Sequence, residues 1–326
     1  MPLCSIGKSK TYNQAVEAES EFQRLAPLHD PKSQMRILIS AIDYKGTPLE
    51  LTASRDGNNF RDLATACGAQ DITMLYDNMA TKENVTRAIR EIGMRTGEDD
   101  YFIFFYAGHG TQVDDEDHDE EDGQDEAYCF VTPQGELNED SVMSDDVFAE
   151  VVSSSFNKRT RILIISDCCH SGSIADFDRP CWANRRAVSI SGCQDHQESG
   201  DTGHGGIFTH ALLLAVDKLQ NHGQDCYSCG MLHNAVLHEV TKVFRGGQKV
   251  TMARPPTFGS GKMAWPLLPI EDYTSPLSMA KSGRSFASLG IPPFVSGSIS
   301  KLTDITAGAE DYVDRISTKH GKCSVM

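Results

Sequence analysis

The sequence predicts an α/β fold with an open, mostly parallel central β-sheet and helices on both faces. Three observations carry this. Two short, strongly apolar runs, YFIFFY at 101–106 and RILIIS at 161–166, do not alternate with period two. Both faces of each therefore call for burial, as in the middle of a parallel sheet covered by helices. Segments with helical spacing alternate with such runs along the chain. Finally, 326 residues with 39% hydrophobic content supply a sizeable core, which excludes disorder of the chain as a whole.

Taken in order, residues 12–26 (YNQAVEAESEFQRLA) read as a helix that Pro27 and Pro31 cut off from the body of the chain, so 1–34 is expected to be a helical extension. The body begins at Met35, where RILISAI is a β-rich run ending in Asp43 and a Gly-Thr-Pro loop. Residues 56–67 predict a helix, 71–76 a strand, and 82–95 a helix with Thr81 as its N-cap. The two apolar strands come next, then a shorter strand at 187–191 and amphipathic helices at 206–220 and 231–244. The catalytic body is expected over 35–268, with 269–326 a Ser-, Gly- and Pro-bearing tail that wraps the domain or stays flexible.

Charge narrows the partners. The net charge is 30 − 46 = −16, and residues 114–126 (DDEDHDEEDGQDE) hold ten of the carboxylates with no Lys or Arg. Such a chain repels phosphate backbones, so nucleic acid is excluded as a partner, while hard cations and basic peptides fit. No apolar run reaches the roughly 18–20 residues that cross a bilayer. The Met1-Pro2-Leu3-Cys4-Ser5 start has no secretory pattern, and proline rather than glycine at the second position excludes myristoylation, so a cytoplasmic monomer is expected. The ten cysteines then read as thiols, and the adjacent Cys168 and Cys169 are badly placed to pair with each other.

In an open α/β sheet, functional groups gather beyond the carboxyl ends of the strands. YFIFFY runs into Ala107-Gly108-His109-Gly110, and RILIIS into Asp167-Cys168-Cys169-His170-Ser171-Gly172. If these strands are neighbours, a histidine flanked by glycines and a cysteine pair share one edge. That combination suits nucleophilic acyl transfer, with an imidazole that ionises a thiol and then protonates the leaving amine. A buried strand cysteine is more often a small core residue, and it is the pairing of the two motifs that favours chemistry.

These residues carry a resemblance. Tyr106-Ala-Gly-His-Gly and Asp167-Cys-Cys-His-Ser-Gly look like the two active-site signatures of metacaspases, caspase-related cysteine peptidases. The segments Ser189-Ile-Ser-Gly-Cys-Gln-Asp-His-Gln and Gly205-Gly-Ile-Phe-Thr-His-Ala-Leu are similar to the family's small-subunit region. The order, large-subunit-like over about 35–180 and small-subunit-like over about 185–268 with no long linker, resembles the type I arrangement but lacks a Pro-rich prodomain. The resemblance implies a caspase-like fold and cleavage after Arg or Lys. Cys169 becomes the nucleophile and His109 the acid/base, with oxyanion donors at Gly110 and Cys169. Cys168 is then expected to pack inward, and His170, the rival base, to point to the opposite face from its neighbour.

The resemblance further implies that Asp56 and Asp167 grip a basic side chain, as two carboxylates match the donors of a guanidinium. Ala53 and Ala107 depart from the family there, standing where a pocket cysteine and serine are common. As simpler roles, Asp56 reads as a helix N-cap and Asp167 as a buried hydrogen-bond acceptor. Calcium is the implied cofactor, held by Asp125, the pair Asp145-Asp146 and Asp176; no EF-hand spacing is present. Four carboxylates converging without a lysine would repel unless a hard cation lay between them. Activation is expected to include self-cleavage at exposed basic sites such as Lys158-Arg159-Thr160-Arg161 or Arg185-Arg186.

Weaker signals remain. His222, Cys226, Cys229 and His233 have a spacing that could hold zinc. The terminal Cys323-Ser-Val-Met is a loose prenylation box, a weak anchor with Lys319 and Lys322 upstream. The rival classes are a catalytically silent caspase-fold scaffold or calcium-responsive binding protein, and a redox or zinc protein built on the other cysteines.

Overall fold

A computed structural model gives the fold and describes residues 33–115, 123–192, 205–223, 226–243, 249–258, 263–270 and 274–275. The helix expected at 12–26, nearly all of the 269–326 tail and the Cys323 box lie outside the described residues.

Six strands form the central sheet. In chain order they are β1 (Met35–Ala41), β2 (Asp71–Tyr76), β3 (Tyr101–Ala107), β7 (Arg161–Asp167), β8 (Arg186–Ser191) and β9 (Thr251–Ala253). Their spatial order is β2-β1-β3-β7-β8-β9, parallel except for the antiparallel edge pairing of β8 with β9. The two most apolar runs of the sequence, β3 and β7, are the two central strands, and every residue of β3 is buried. Edge strand β2 is only half-buried along its length, as a strand with one neighbour should be.

Helices cover both faces. Helix α1 (Ala53–Ala66) presents Phe60, Leu63 and Ala64 to the face made by Ile37, Ile39, Ile103 and Phe105. Helices α4 (Ile207–Asn221) and α5 (Cys229–Val243) add Phe208, Leu212 and Leu232 there. The other face, with Leu38, Phe102, Phe104 and Ile164, is covered by α2 (Lys82–Arg95) and α3 (Asp145–Ser155) through Ile89, Ile92, Phe148 and Val152. Each such buried side chain contributes about 1.5–3 kcal/mol. Thr81 caps α2, its hydroxyl accepting from Asn84 N–H at 3.1 Å.

Helix α1 begins three residues earlier than expected, at Ala53, so Asp56 lies inside it and is not its N-cap. A small antiparallel sheet escaped the sequence reading: β4 (Gly110–Asp114), β5 (Gln124–Cys129) and β6 (Val142–Ser144) pair in the order β4-β5-β6. It carries the chain away from the end of β3 and brings Asp125 back toward Asp145.

Candidate active site

The strand order reverses direction between β1 and β3, since the chain goes from β1 out to β2 and then returns to the other side. Crevices form beyond the strand ends at such a point. Three segments meet there: the loop 42–52 after β1, residues 108–110 after β3 and residues 168–172 after β7.

The register of β3 against β7 pairs Ala107 with Asp167, and Gly108 N–H donates to Asp167 O at 3.3 Å. His109-Gly110 and Cys168-Cys169 therefore leave the sheet side by side. Gly110 is packed so tightly that a Cβ on it would overlap the Cys169 carbonyl. Cys168 is fully buried, as expected, and Cys169 is half-buried. His170 has φ +49°, in the left-handed region, and its Nδ1 is buried without a hydrogen-bond partner among the described residues.

The His109 ring lies with Nε2 2.8 Å from the carbonyl oxygen of Leu49. A carbonyl only accepts, so Nε2 carries the proton and Nδ1 is the basic nitrogen. Tyr44 supports the same histidine with its ring and its hydroxyl. The 42–52 loop is itself braced: Thr47 Oγ1 donates to Tyr44 O at 2.7 Å, and Asp43 accepts from the Ser54 backbone and hydroxyl at 2.6 and 2.7 Å. Neither Tyr44 nor Leu49 stood out in the sequence. The signal for Leu49 was out of reach, because a main-chain oxygen carries no residue type.

Asp56 and Asp167, from α1 and β7, converge on the start of α4 and are both buried. Asp56 Oδ2 accepts from Gly206 N–H at 2.8 Å; Asp167 Oδ2 accepts from Thr209 N–H at 3.0 Å and its hydroxyl at 2.6 Å. Gly206 is the N-cap of α4 and has no capping side chain of its own. Asp167 takes over that role from a distant strand, and a Cβ on Gly206 would overlap its carboxylate. The hydrogen-bond-acceptor role weighed for Asp167 is thus occupied, and Asp56 caps a helix other than its own. Buried His210 also borders Gly205 opposite Asp56, a neighbour the sequence did not single out.

The carboxylates weighed for calcium come from three elements: Asp125 on β5, Asp145 and Asp146 at the start of α3, and Asp176 in the loop after β7. Glu126, buried beside them, is an addition; it accepts from Ser173 Oγ and, at 3.2 Å, from Gln112. Asp145 is 1% exposed, and its Oδ2 has no hydrogen-bond partner among the described residues. Burial and then the charges of Glu126, Asp125 and Asp176 push its carboxyl up to about 9. An all-oxygen donor set is the chemistry a hard divalent ion takes. The cluster is not free of cations, however. Arg179 pairs with Asp146, and its Nε lies 3.4 Å from Asp176. Among the described residues no three His, Cys, Asp or Glu side chains are grouped to hold a metal ion as they stand.

Among the described residues, the side chains of the zinc spacing are not grouped to hold a metal ion. His222 is exposed at the end of α4 with Nδ1 2.6 Å from Lys218 O, His233 faces Val250 O at 3.2 Å, and Cys226 and Cys229 are buried. Of the two self-cleavage sites, Lys158-Arg159 is in an exposed turn. Arg185 is not: it is buried, its guanidinium donating to Cys181 O and Phe156 O at 2.9 and 3.0 Å. No described helix is long and apolar enough to cross a membrane.

A family model described as "Metacaspase, peptidase C14 domain" matches residues 35–178, a span that takes in Asp56, His109, Asp125, Asp145, Asp146, Asp167, Cys169 and Asp176. Metacaspase-3 of Arabidopsis thaliana is 26% identical over 228 residues, 59% of this chain and 62% of its own length. Metacaspase-1 of Candida glabrata is 32% identical over 152 residues, 44% of this chain and 38% of its own. Metacaspase-1 of Plasmodium falciparum is 25% identical over 260 residues, 69% and 42%. The chain thus spans between 38% and 62% of the length of these curated relatives. The crystal structure of a protein from Geobacter sulfurreducens shares the fold, with TM-score 0.52 and 24% identity over 73% of this chain and all of that one.

Proposed function

We propose that this chain, whose residues 35–178 match a metacaspase peptidase family model, is a cysteine endopeptidase of the caspase clan that cleaves after Arg or Lys and depends on calcium. The observation that carries the chemistry is the 2.8 Å contact of His109 Nε2 with Leu49 O, which leaves Nδ1 as the base at the edge shared with Cys169.

In this reading His109 Nδ1 takes the proton of the Cys169 thiol, and the thiolate sulfur attacks the scissile carbonyl carbon. The carbonyl oxygen gathers negative charge, and the amides of Gly110 and Cys169 donate to it. The imidazolium, still held through Nε2–H by Leu49 O, protonates the leaving amine as the C–N bond breaks. The thioester that remains is hydrolysed by a water whose proton passes to His109, and the returned thiol completes the cycle. Asp56 and Asp167 add two buried negative charges beside Gly205-Gly206, which favours a basic side chain in the adjoining subsite.

For calcium, Asp125, Asp145, Asp146 and Asp176 are the residues that would hold the ion, and Glu126 is close enough to join them. The ion supplies the positive charge that lets these carboxylates stay ionised together. The substrate is a protein or peptide, and a cytoplasmic monomer remains the expected form.

The test uses matched fluorogenic peptides ending in Arg, Lys or Asp, with millimolar calcium or EGTA, on the wild type and Cys169→Ala. Arg and Lys cleavage that needs both calcium and Cys169 is expected. Cleavage after Asp would overturn the pocket assignment, full activity in EGTA the calcium assignment, and no cleavage at all would favour a silent scaffold of the same fold.

A further inference from the structure

The carboxylate cluster contains its own cation. Arg179 lies in the loop after β7, three residues beyond Asp176, and pairs with Asp146 at the start of α3 and with Asp176. The local backbone is built for this. Asp176 has φ +38°, its N–H donates to Ser173 O at 2.6 Å, and Arg179 N–H donates to Asp176 O at 3.3 Å. This tight turn brings Arg179 and Asp176 to the same side of the loop, facing α3.

The guanidinium does not satisfy the whole cluster. It holds the outer pair, Asp146 and Asp176, whereas the inner Asp145 Oδ2 is buried with no hydrogen-bond partner among the described residues. A divalent ion reaching Asp145 needs six to eight oxygens, and those of Asp146 and Asp176 already face a guanidinium. Two cations sharing these oxygens also repel each other. Arg179 is a quarter exposed and so has a way out to solvent, while Asp145 has none.

We propose that Arg179 is the resident counter-ion of this cluster and competes with calcium for Asp146 and Asp176, setting the calcium concentration at which the site fills. This rests on the calcium reading above. Because Asp176 and Arg179 lie seven and ten residues beyond Cys169, the exchange of one cation for the other is felt in the loop that carries the nucleophile.

The test is isothermal titration of calcium alone into the full chain, in a Cys169→Ala background that prevents self-cleavage. Arg179→Gln is expected to bind calcium about tenfold more tightly, with Arg179→Lys in between because it keeps the charge and loses the planar fork. Lys82→Gln is the control for net charge: Lys82 is near α3 but donates to Val142 O at 2.9 Å, and its loss is expected to change affinity less than about twofold. Without calcium, Arg179→Gln should melt lower than its parent and gain more on calcium addition. If Arg179→Gln proves unstable, the Lys variant carries the test. Unchanged or weaker calcium binding without Arg179, or an equal gain in Lys82→Gln, overturns the competition and leaves the calcium site standing. No calcium binding in either the parent or Arg179→Gln overturns both.

Discussion

Tyr44 and His109 meet twice: the Tyr44 hydroxyl accepts from His109 N–H at 3.1 Å, and the two rings pack with centroids 4.7 Å apart. The same hydroxyl donates to Cys129 O at 2.5 Å, and Tyr106 OH reaches His109 O at 2.7 Å. Two buried phenols thus hold the backbone of His109 while Leu49 holds its ring. Tyr44→Phe keeps the ring contact and removes the acceptor of the His109 N–H, while the Cys129 carbonyl keeps Tyr106 OH at 2.9 Å. It is expected to lower kcat about tenfold with KM nearly unchanged, and Tyr44→Ala to lower it further. Burial, and then the nearby Cys129, hold the Tyr44 hydroxyl well above its ordinary pKa, so it stays protonated wherever the chain is folded. The pH profile of kcat in Tyr44→Phe should therefore keep the alkaline limb of the wild type; a lost or shifted limb would show Tyr44 to be more than a positioning residue.

Gly110 packs directly against Cys169, where the segments leaving β3 and β7 run side by side. An Ala there would force its Cβ into the main-chain carbonyl of Cys169, with Cys168 Sγ 3.3 Å away. No side-chain rotation relieves this, so the ends of β3 and β7 must part. Because misplacement by about 1 Å costs about 10²-fold in rate, Gly110→Ala should lose at least that much kcat/KM. Circular dichroism and thermal melting will separate this from unfolding.

Asp56 and Asp167 have two candidate jobs, holding the first turn of α4 and binding a basic side chain, and the two jobs leave different marks. Asp56→Asn keeps the size of the side chain and an oxygen acceptor for Gly206 N–H while removing the charge. If the pocket reading holds, kcat/KM for Arg and Lys peptides should fall about 10²-fold while the melting temperature changes little. Asp167→Asn should do the same and also lose some stability, because the negative charge at the start of α4 is gone. A stability loss with undiminished cleavage after Arg would make both residues helix caps only.

Much of this fold is legible in the sequence because its central strands are apolar on both sides. YFIFFY and RILIIS could be little other than the middle of a sheet, and they are β3 and β7, with the His109 and Cys169 motifs at their ends. The small sheet was missed for the opposite reason: β4 and β5 read GTQVD and QDEAYC, polar strands beside a run of acids that looks like solvated loop. Leu49 was hidden because its contribution is a carbonyl, fixed by a loop that belongs to a different strand. Arg179 was hidden because charge was counted along the sequence, while its pairing with Asp146 spans 33 positions.

Acid should destabilise the fold through His233. His233 on α5 is largely buried with Nε2 against Val250 O at 3.2 Å, and burial lowers its pKa below the ordinary value of 6.5, outweighing the hydrogen bond. A histidine with a lowered pKa binds its proton more readily in the unfolded chain. Stability from this group is therefore complete above pH 6.5 and is lost as the pH falls below it, down to the depressed folded-state pKa. Between pH 7 and 5 the melting temperature of the wild type should drop more steeply than that of His233→Gln, which has no proton to gain there. Differential scanning fluorimetry across that range in EGTA, which removes any contribution from bound calcium, reads the difference in slope directly. Parallel slopes would mean that His233 is as easily protonated in the folded chain as in the unfolded one.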